Sequence, residues 1–236
     1  MRTPDSNFYH EKLVLGEFAL GEEQSRHAVK VFRAREGDLL TLADGKGHFA
    51  EAEIVKADPK ACMVKVERIE NAGRARPKLK LALACLKDDA NEEVALHASE
   101  AGLAEIILLR TERSLEPRNS DLERTLRRMR AKCLVSLEQA RKAWMTQVSG
   151  PVWLDEFLES ATGTLVLCDM DGSPEVPAEV LEGEVTILVG PEGGFSAAEI
   201  GKILHAKAAK THLLGLGKTR LRARTAALFA LGKLLR

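Results

Sequence analysis

From residue 79 onward, short apolar runs alternate with stretches of helical period, and that alternation leaves few folds open. LKLALACLK (79–87), EIILLRT (105–111), TLVLCDM (164–170), TILVG (186–190) and THLLGLG (211–217) are of strand length and largely lack a polar face. Strands of that kind must be covered on both sides, which is the condition of a parallel sheet between helices. The helices are expected over 88–103, ending near Gly102, over a long basic stretch at 121–143, and over 196–207 and 223–236. The fold class is therefore α/β with a parallel sheet. Ligands of such sheets lie beyond the carboxyl ends of the strands, so chemistry is expected near 168–172, 190–195 and 214–222.

Before residue 79 the pattern changes. Residues 22–35 read as a short helix leading to a turn at Gly37-Asp38, and three β-like runs follow: LLTLAD (39–44), HFAEAEIVKA (48–57) and CMVKVERI (62–69). Short alternating strands joined by Gly and Pro turns indicate a small antiparallel barrel. The segment NAGRARPK (71–78) is polar, basic and rich in turn residues, which sets a boundary between domains at 1–72 and 73–236. Two modest domains suit a chain of 236 residues.

Composition removes several function classes. The N-terminus MRTPDSNFYH lacks the basic-then-apolar layout of an export signal and no apolar run has membrane-spanning length, so a cytoplasmic protein is expected. Cys62, Cys85, Cys133 and Cys168 are far apart with no C-x-x-C pair, and the six histidines show no H-E-x-x-H pattern; buried thiols and no metal centre are expected. Net charge is zero, yet residues 1–72 carry 11 Lys/Arg against 13 Asp/Glu, 73–150 carry 15 against 11, and 151–236 carry 9 against 11. Positive charge is thus patchy. Arg124, Arg127, Arg128 and Arg130 fit either a solvated helix face or RNA contact. Lys218, Arg220, Arg222 and Arg224 crowd the entry to an apolar helix, at the sheet rim where a polyanion would be bound.

The most informative loop is LVGPEGGFSAAEI (188–200). Ser196 and Glu199 form a capping box for the helix that follows. The G-P-E-G-G-F turn does not suit a phosphate, because Pro191 removes a donor and Glu192 brings a like charge. It also misses both nucleotide-binding glycine templates. Its glycines instead admit a flat group close to the backbone, and its carboxylate favours a cation. S-adenosylmethionine, with an adenine ring, a sulfonium and an ammonium group, meets both demands; a plain strand-to-helix turn with an exposed glutamate is the competing reading.

These residues resemble a known family. LVGPEGGFSAAEI, followed by LGLGKTRLRARTAAL (214–228), is similar to the SPOUT methyltransferases, and among them to the enzymes that make 3-methyluridine in small-subunit (16S) ribosomal RNA. HAVKVFRAREGDLLTLADGKG (27–47) resembles that family's PUA-like RNA-binding barrel, SEAGLAEIILLRTERS (99–114) its E-x-G-x-x-x-I…T-E-R-S segment, and Glu138-Gln139 with Arg141 its E-Q-x-x-R element. The resemblance covers nearly the whole chain. It implies a deep trefoil knot, a homodimer, and S-adenosylmethionine held by three loops: Leu167 and Cys168; Val189, Gly190, Pro191, Glu192, Gly193 and Gly194; and Leu214, Gly215, Leu216, Leu221, Arg222 and Thr225. It likewise implies RNA contacts from Arg26, Arg33, Arg35, Lys46, Arg141, Lys218 and Arg220. One departure is clear: the family's closing L-R-x-E-T reads Leu221-Arg222-Ala223-Arg224-Thr225 here. Asn7 also stands where a basic residue is expected before Phe8-Tyr9, and Lys87-Asp88-Asp89-Ala90 replaces a K-G-D-R-like element.

Methylation at N3 of a uridine needs a base freed from pairing, a lost proton and alignment with the methyl carbon. Arg222 is the candidate for holding the developing oxyanion, with phosphate contact as its other reading. Glu192 is the candidate for orienting substrate or cofactor, with helix N-terminal electrostatics as its other reading. His27 is expected to be a structural hydrogen-bonder, and Phe195 and Phe229 to be core. Two rivals to the rRNA reading are a related enzyme acting on another RNA such as tRNA, and a catalytically weak RNA-binding assembly factor, for which Arg224 is the supporting feature.

Overall fold

The computed structural model describes residues 6–74, 78–114, 119–207 and 209–235. They fall into two compact units. The first holds the residues up to Arg74 together with Leu134–Met145; the second holds those from there to Cys133 and from Thr146 onward. The linker segment 71–78 falls in part on 75–77, outside the described residues, and the expected C-terminal helix ends at a residue also outside them.

In the first unit, β1 (Asn7–Tyr9), β2 (Gly16–Ala19), β3 (Leu39–Ala43), β4 (His48–Lys56), β5 (Met63–Val66) and β6 (Glu70–Asn71) form one sheet in the order β1-β3-β4-β5-β2, with β6 on β4. The three expected strands are present and antiparallel, whereas β1 lies parallel to β3. Among the described residues β1 and β2, the two ends of this path, are not hydrogen-bonded to each other. The expected helix over 22–35 is shorter: α1 (Glu22–Arg26) passes into one π-helical turn at His27–Val31 and stops. The aromatic core explains this. Phe32 turns inward to meet Phe8 at 5.6 Å and His27 at 4.9 Å between ring centroids, and Arg33 then takes a positive φ of 55°. His27 is thus a packed ring, where a hydrogen-bonding role was expected.

Asp44 closes the β3–β4 turn. Its carboxylate accepts the N–H groups of Lys46 (2.7 Å) and His48 (3.1 Å) and meets His48 Nδ1 at 2.6 Å. Beside it, a Cβ on Gly47 would fall inside the Trp144 ring, and Trp144 donates Nε1–H to Ala72 O (3.1 Å) under the Arg74 guanidinium. Burial works to raise the Asp44 carboxyl, but the Lys46 and His48 bonds outweigh it and leave the group below its ordinary 3.8. A depressed carboxyl stabilises the fold fully above its unfolded value and loses that contribution as pH falls through the folded one. Asp44→Asn is expected to cost about 1–3 kcal/mol at neutral pH. Urea melts at successively lower pH should show that difference closing only below 3.8.

In the second unit, β7 (Lys78–Ala84), β8 (Glu105–Arg110), β9 (Gln147–Trp153), β10 (Gly163–Ser173), β11 (Glu184–Val189) and β12 (Ala209–Leu214) form a wholly parallel sheet in the order β12-β10-β11-β7-β8-β9. The helices are α2 (Ala90–Glu100), α3 (Asn119–Gln139), of which only the part up to Cys133 belongs to this unit, α4 (Leu154–Ser160), α5 (Ala197–Leu204) and α6 (Ala223–Leu234). The α/β reading with a parallel sheet holds. Strand β9 and helix α4 were not legible in advance, because QVSGPVW carries Gly-Pro at its centre. An edge strand tolerates proline, and β9 is an edge whose pairing with β8 shifts at Ile107/Leu109, beside Gly150 at φ 89°. Of the α3 arginines, two are tied within the unit: Arg128 to Glu92 at 3.2 Å and Arg130 to Val148 O at 3.2 Å.

Candidate active site

Three chain reversals at the carboxyl ends of β10, β11 and β12 enclose one cavity of about 480 Å³. The first begins at Cys168, where β10 leaves its partner and returns so that Cys168 and Ser173 both pair with Leu214. Asp169 closes this excursion by accepting the Asp171 N–H at 2.9 Å. Its far side presses on the next strand end: Gly215 N–H donates to Ser173 O at 2.8 Å, and a Cβ on Gly172 would sit 2.6 Å from Gly215 N. Only glycine permits that approach.

The second reversal is the G-P-E-G-G-F loop. Gly194 N–H donates to Pro191 O at 2.8 Å with φ 70° at Gly194, and Phe195 then enters the sheet's core. Ser196 Oγ accepts the Glu199 N–H while the Glu199 carboxylate accepts the Ser196 N–H, the full capping box read from sequence. The third runs from Gly215 to Arg222, which is the N-cap of α6 without contributing a side-chain cap.

The lining mixes an apolar floor with a few charges, as small-molecule sites of about 300–1,000 Å³ do. Asp169 and Glu192 supply carboxylates, Arg220 and Arg222 guanidinium groups, and Phe195, Ile200, Leu216 and Ala226 the apolar floor. Glu192 is anchored twice, its Oε1 accepting the Lys87 N–H (3.2 Å) and its carbonyl the Arg220 Nη2–H (3.3 Å). Arg222 is exposed, and among the described residues its guanidinium makes no hydrogen bond or ion pair. Burial, with Asp169 beside it, pushes the Cys168 thiol up to about 12, so it is a neutral wall group and no nucleophile.

Of the residues expected at a cofactor, Cys168, Val189, Gly190, Pro191, Glu192, Gly194, Leu216, Leu221 and Arg222 line this cavity. Leu167 and Leu214 are fully buried behind it, and Gly193, Gly215 and Thr225 stand outside its wall. The wall also takes Asp169, Met170, Phe195, Gly217 and Thr219, which lie within the strand-end segments expected to carry chemistry but were not singled out as cofactor contacts, and Ile200, Ala223 and Ala226, which lie outside those segments. Met170 is 60% exposed at the end of an apolar strand. Phe195 is core as expected; Phe229 is not, standing 55% exposed on α6. Arg220 lines the cavity and Lys218 lies exposed on the same loop. Arg26, Arg33, Arg35, Lys46 and Arg141 are exposed on the first unit. Arg224 turns to α2 and pairs with Glu93 at 2.6 Å.

A second cavity of about 270 Å³ opens near the opposite strand ends beside Lys80, Glu105 and Glu184, but those charges are paired with one another (Lys80–Glu184, 2.8 Å). Among the described residues no group of three His, Cys, Asp or Glu could hold a metal, and no helix is long and apolar enough to cross a membrane.

The two units, a small β unit before a parallel α/β unit, match two known domain families in that order. Residues 74–235 match the model of an RNA methyltransferase domain, and residues 20–67 that of an RNA methyltransferase PUA domain. A ribosomal RNA small subunit methyltransferase E from Mycobacterium bovis is 29% identical over 221 residues, covering 89% of this chain and 82% of the relative. One from Mesomycoplasma hyopneumoniae is 30% identical over 178 residues, covering 72% and 75%. A Legionella pneumophila structure described as a methyltransferase in complex with bound cofactor SAM superposes with a TM-score of 0.79 at 28% identity, over 97% of this chain and 96% of that one. The chain belongs to the RNA methyltransferase family, in its ribosomal RNA small subunit methyltransferase E branch.

Proposed function

We propose that this enzyme uses S-adenosylmethionine to methylate N3 of a uridine in 16S ribosomal RNA of the small subunit. The observation that carries the reading is the cavity itself. It joins glycine backbone, two carboxylates and an uncommitted guanidinium at the rim of a parallel sheet, and the Legionella relative of the same fold holds this cofactor. The fit is chemical: Gly190 and Gly194 leave room for a flat ring against the loop, while Asp169 and Glu192 suit a ligand carrying ammonium and sulfonium charge. When bound, S-adenosylmethionine supplies an electrophilic methyl group to the nucleophilic nitrogen.

The chain's own residues do the rest. N3 is on the pairing edge, so the base must be presented unpaired. Arg222, a guanidinium that makes no hydrogen bond or ion pair among the described residues, holds the uridine oxygen on which negative charge builds as N3 loses its proton. Glu192 is fixed through Lys87 and Arg220 and orients the ligand at the wall. Lys218 and Arg220, with Arg26, Arg33, Arg35, Lys46 and Arg141 of the first unit, neutralise phosphates, which sets register and affinity.

The same reading makes residues 1–72 a PUA-like RNA-binding β-barrel and 73–236 a SPOUT methyltransferase domain with a trefoil knot, working as a cytoplasmic homodimer. The exposed Phe229 supports a partnered α6. The test is methyl transfer from labelled S-adenosylmethionine to naked 16S RNA and to assembled small subunits, with mapping of the modified base. Label at one uridine N3 is expected. Label only in tRNA, or none despite bound cofactor, would replace this reading with one of the two rivals.

A further inference from the structure

The turn that follows β8 fastens the G-P-E-G-G-F loop from outside. Ser114 Oγ bonds both the N–H and the C=O of Thr111 at 3.0 Å, which makes residues 111–114 a closed unit. From this unit Glu112 N–H donates to Glu199 Oε1 at 2.8 Å, and the other carboxylate oxygen, Oε2, accepts the Ser196 N–H at 2.8 Å. Glu199 is only 3% exposed. A helix cap needs one of those bonds, and the other ties in a separate chain segment. Arg113 adds a second tie: its Nη1–H groups reach Gly193 O at 3.0 Å and Phe195 O at 3.5 Å, and a Cβ on Gly193 would meet its stem at 3.5 Å.

We infer that Arg113 and Glu199 are positioning residues that hold the G-P-E-G-G-F loop in its cofactor-accepting form. This rests on the reading of the cavity as the S-adenosylmethionine site. The bonded carbonyls flank Gly194, whose positive φ and N–H bond to Pro191 O shape the turn, and the loop's other side is the cavity wall. Both ties are charge-assisted, the stronger kind of hydrogen bond. Neither side chain lines the cavity, so both act through the loop backbone.

Arg113 is exposed, and its removal should leave the fold intact. Arg113→Ala is expected to raise Kd and KM for S-adenosylmethionine about tenfold while kcat and KM for RNA stay within about twofold. Arg113→Lys should recover part of the loss, since an ammonium reaches one carbonyl without the fork. Glu199→Gln places an NH2 against a backbone N–H, so it should weaken cofactor binding further and also lower Tm. Hydrogen exchange on the free enzyme is the independent readout: amides 193–195 should exchange faster in Arg113→Ala. Unchanged cofactor affinity in that variant, a rise confined to the KM for RNA, or unaltered exchange at 193–195 would overturn the inference. A wild-type enzyme that takes up no S-adenosylmethionine in calorimetry would sink the functional reading instead, and the exchange experiment would still decide whether the loop is fastened in this way.

Discussion

Arg222→Ala is expected to lower kcat for methyl transfer by about 10²–10³-fold, the cost of removing one preorganised donor from a developing oxyanion. Its melting temperature and its calorimetric affinity for S-adenosylmethionine should stay close to wild type. The reasoning compares the cations of one segment. Arg220 spends a donor on Glu192 O and Arg224 is paired with Glu93, whereas Arg222 lines the cavity with no partner among the described residues. A guanidinium kept free at a ligand wall gains its partner when substrate arrives. Arg222→Lys should recover only part of the rate, because an ammonium keeps the charge but loses the planar pair of donors. A variant with unchanged kcat and a raised KM for RNA would assign Arg222 to a phosphate instead.

Arg224 illustrates how sequence and structure divide the work. Read alone, a base in place of the family's usual acid suggested weakened activity. Its ion pair with Glu93 on α2 gives it a different occupation: it offsets a cation placed in the first turn of α6, where the helix field is unfavourable to positive charge, by bringing a carboxylate beside it. The feature that supported an inactive assembly factor therefore has a structural reason.

The second unit was legible to the extent that its strands are two-sided and apolar. β7, β8, β10, β11 and β12 announced themselves, as did the capping box at Ser196 and the choice of strand ends as the rim. β9 was hidden because an edge strand tolerates the Gly150-Pro151 pair that punctuates loops elsewhere. In the first unit β1 and β2 are three and four residues long, too short for any period to register, and the π-turn at His27–Val31 is decided by where Phe32 packs. At the site, loop glycines were readable by type, but which of them face the cavity was not. Gly193 and Gly215 look like their neighbours in sequence and serve other contacts, one under Arg113 and one against Gly172. The bonds from Glu199 to Ser196 and Glu112 show the same limit, since only the capping half is local.

Gly172→Ala should damage the fold of the second unit and its cavity together. An added Cβ would lie 2.6 Å from both Gly215 N and Leu214 C and 2.8 Å from Leu213 C, all backbone atoms that no rotamer change can withdraw. Relief requires β10's returning segment to move off β12, which breaks the Gly215 N–H to Ser173 O bond and shifts two cavity walls together, Cys168 to Met170 on one side and Leu216 on the other. A core overpacked in this way loses about 1–3 kcal/mol, and because the strain falls on the ligand wall, cofactor affinity should fall by about tenfold or more. Gly201→Ala is the matched control: nothing lies within 4 Å of its Cβ, it is inside α5, and helix propensity predicts a gain of about 0.5–1 kcal/mol. Thermal melts with and without S-adenosylmethionine on the two variants read both effects. Equal melting temperatures and equal cofactor-induced shifts for the two would mean that the backbone approach of Gly172 to Gly215 does not constrain the site.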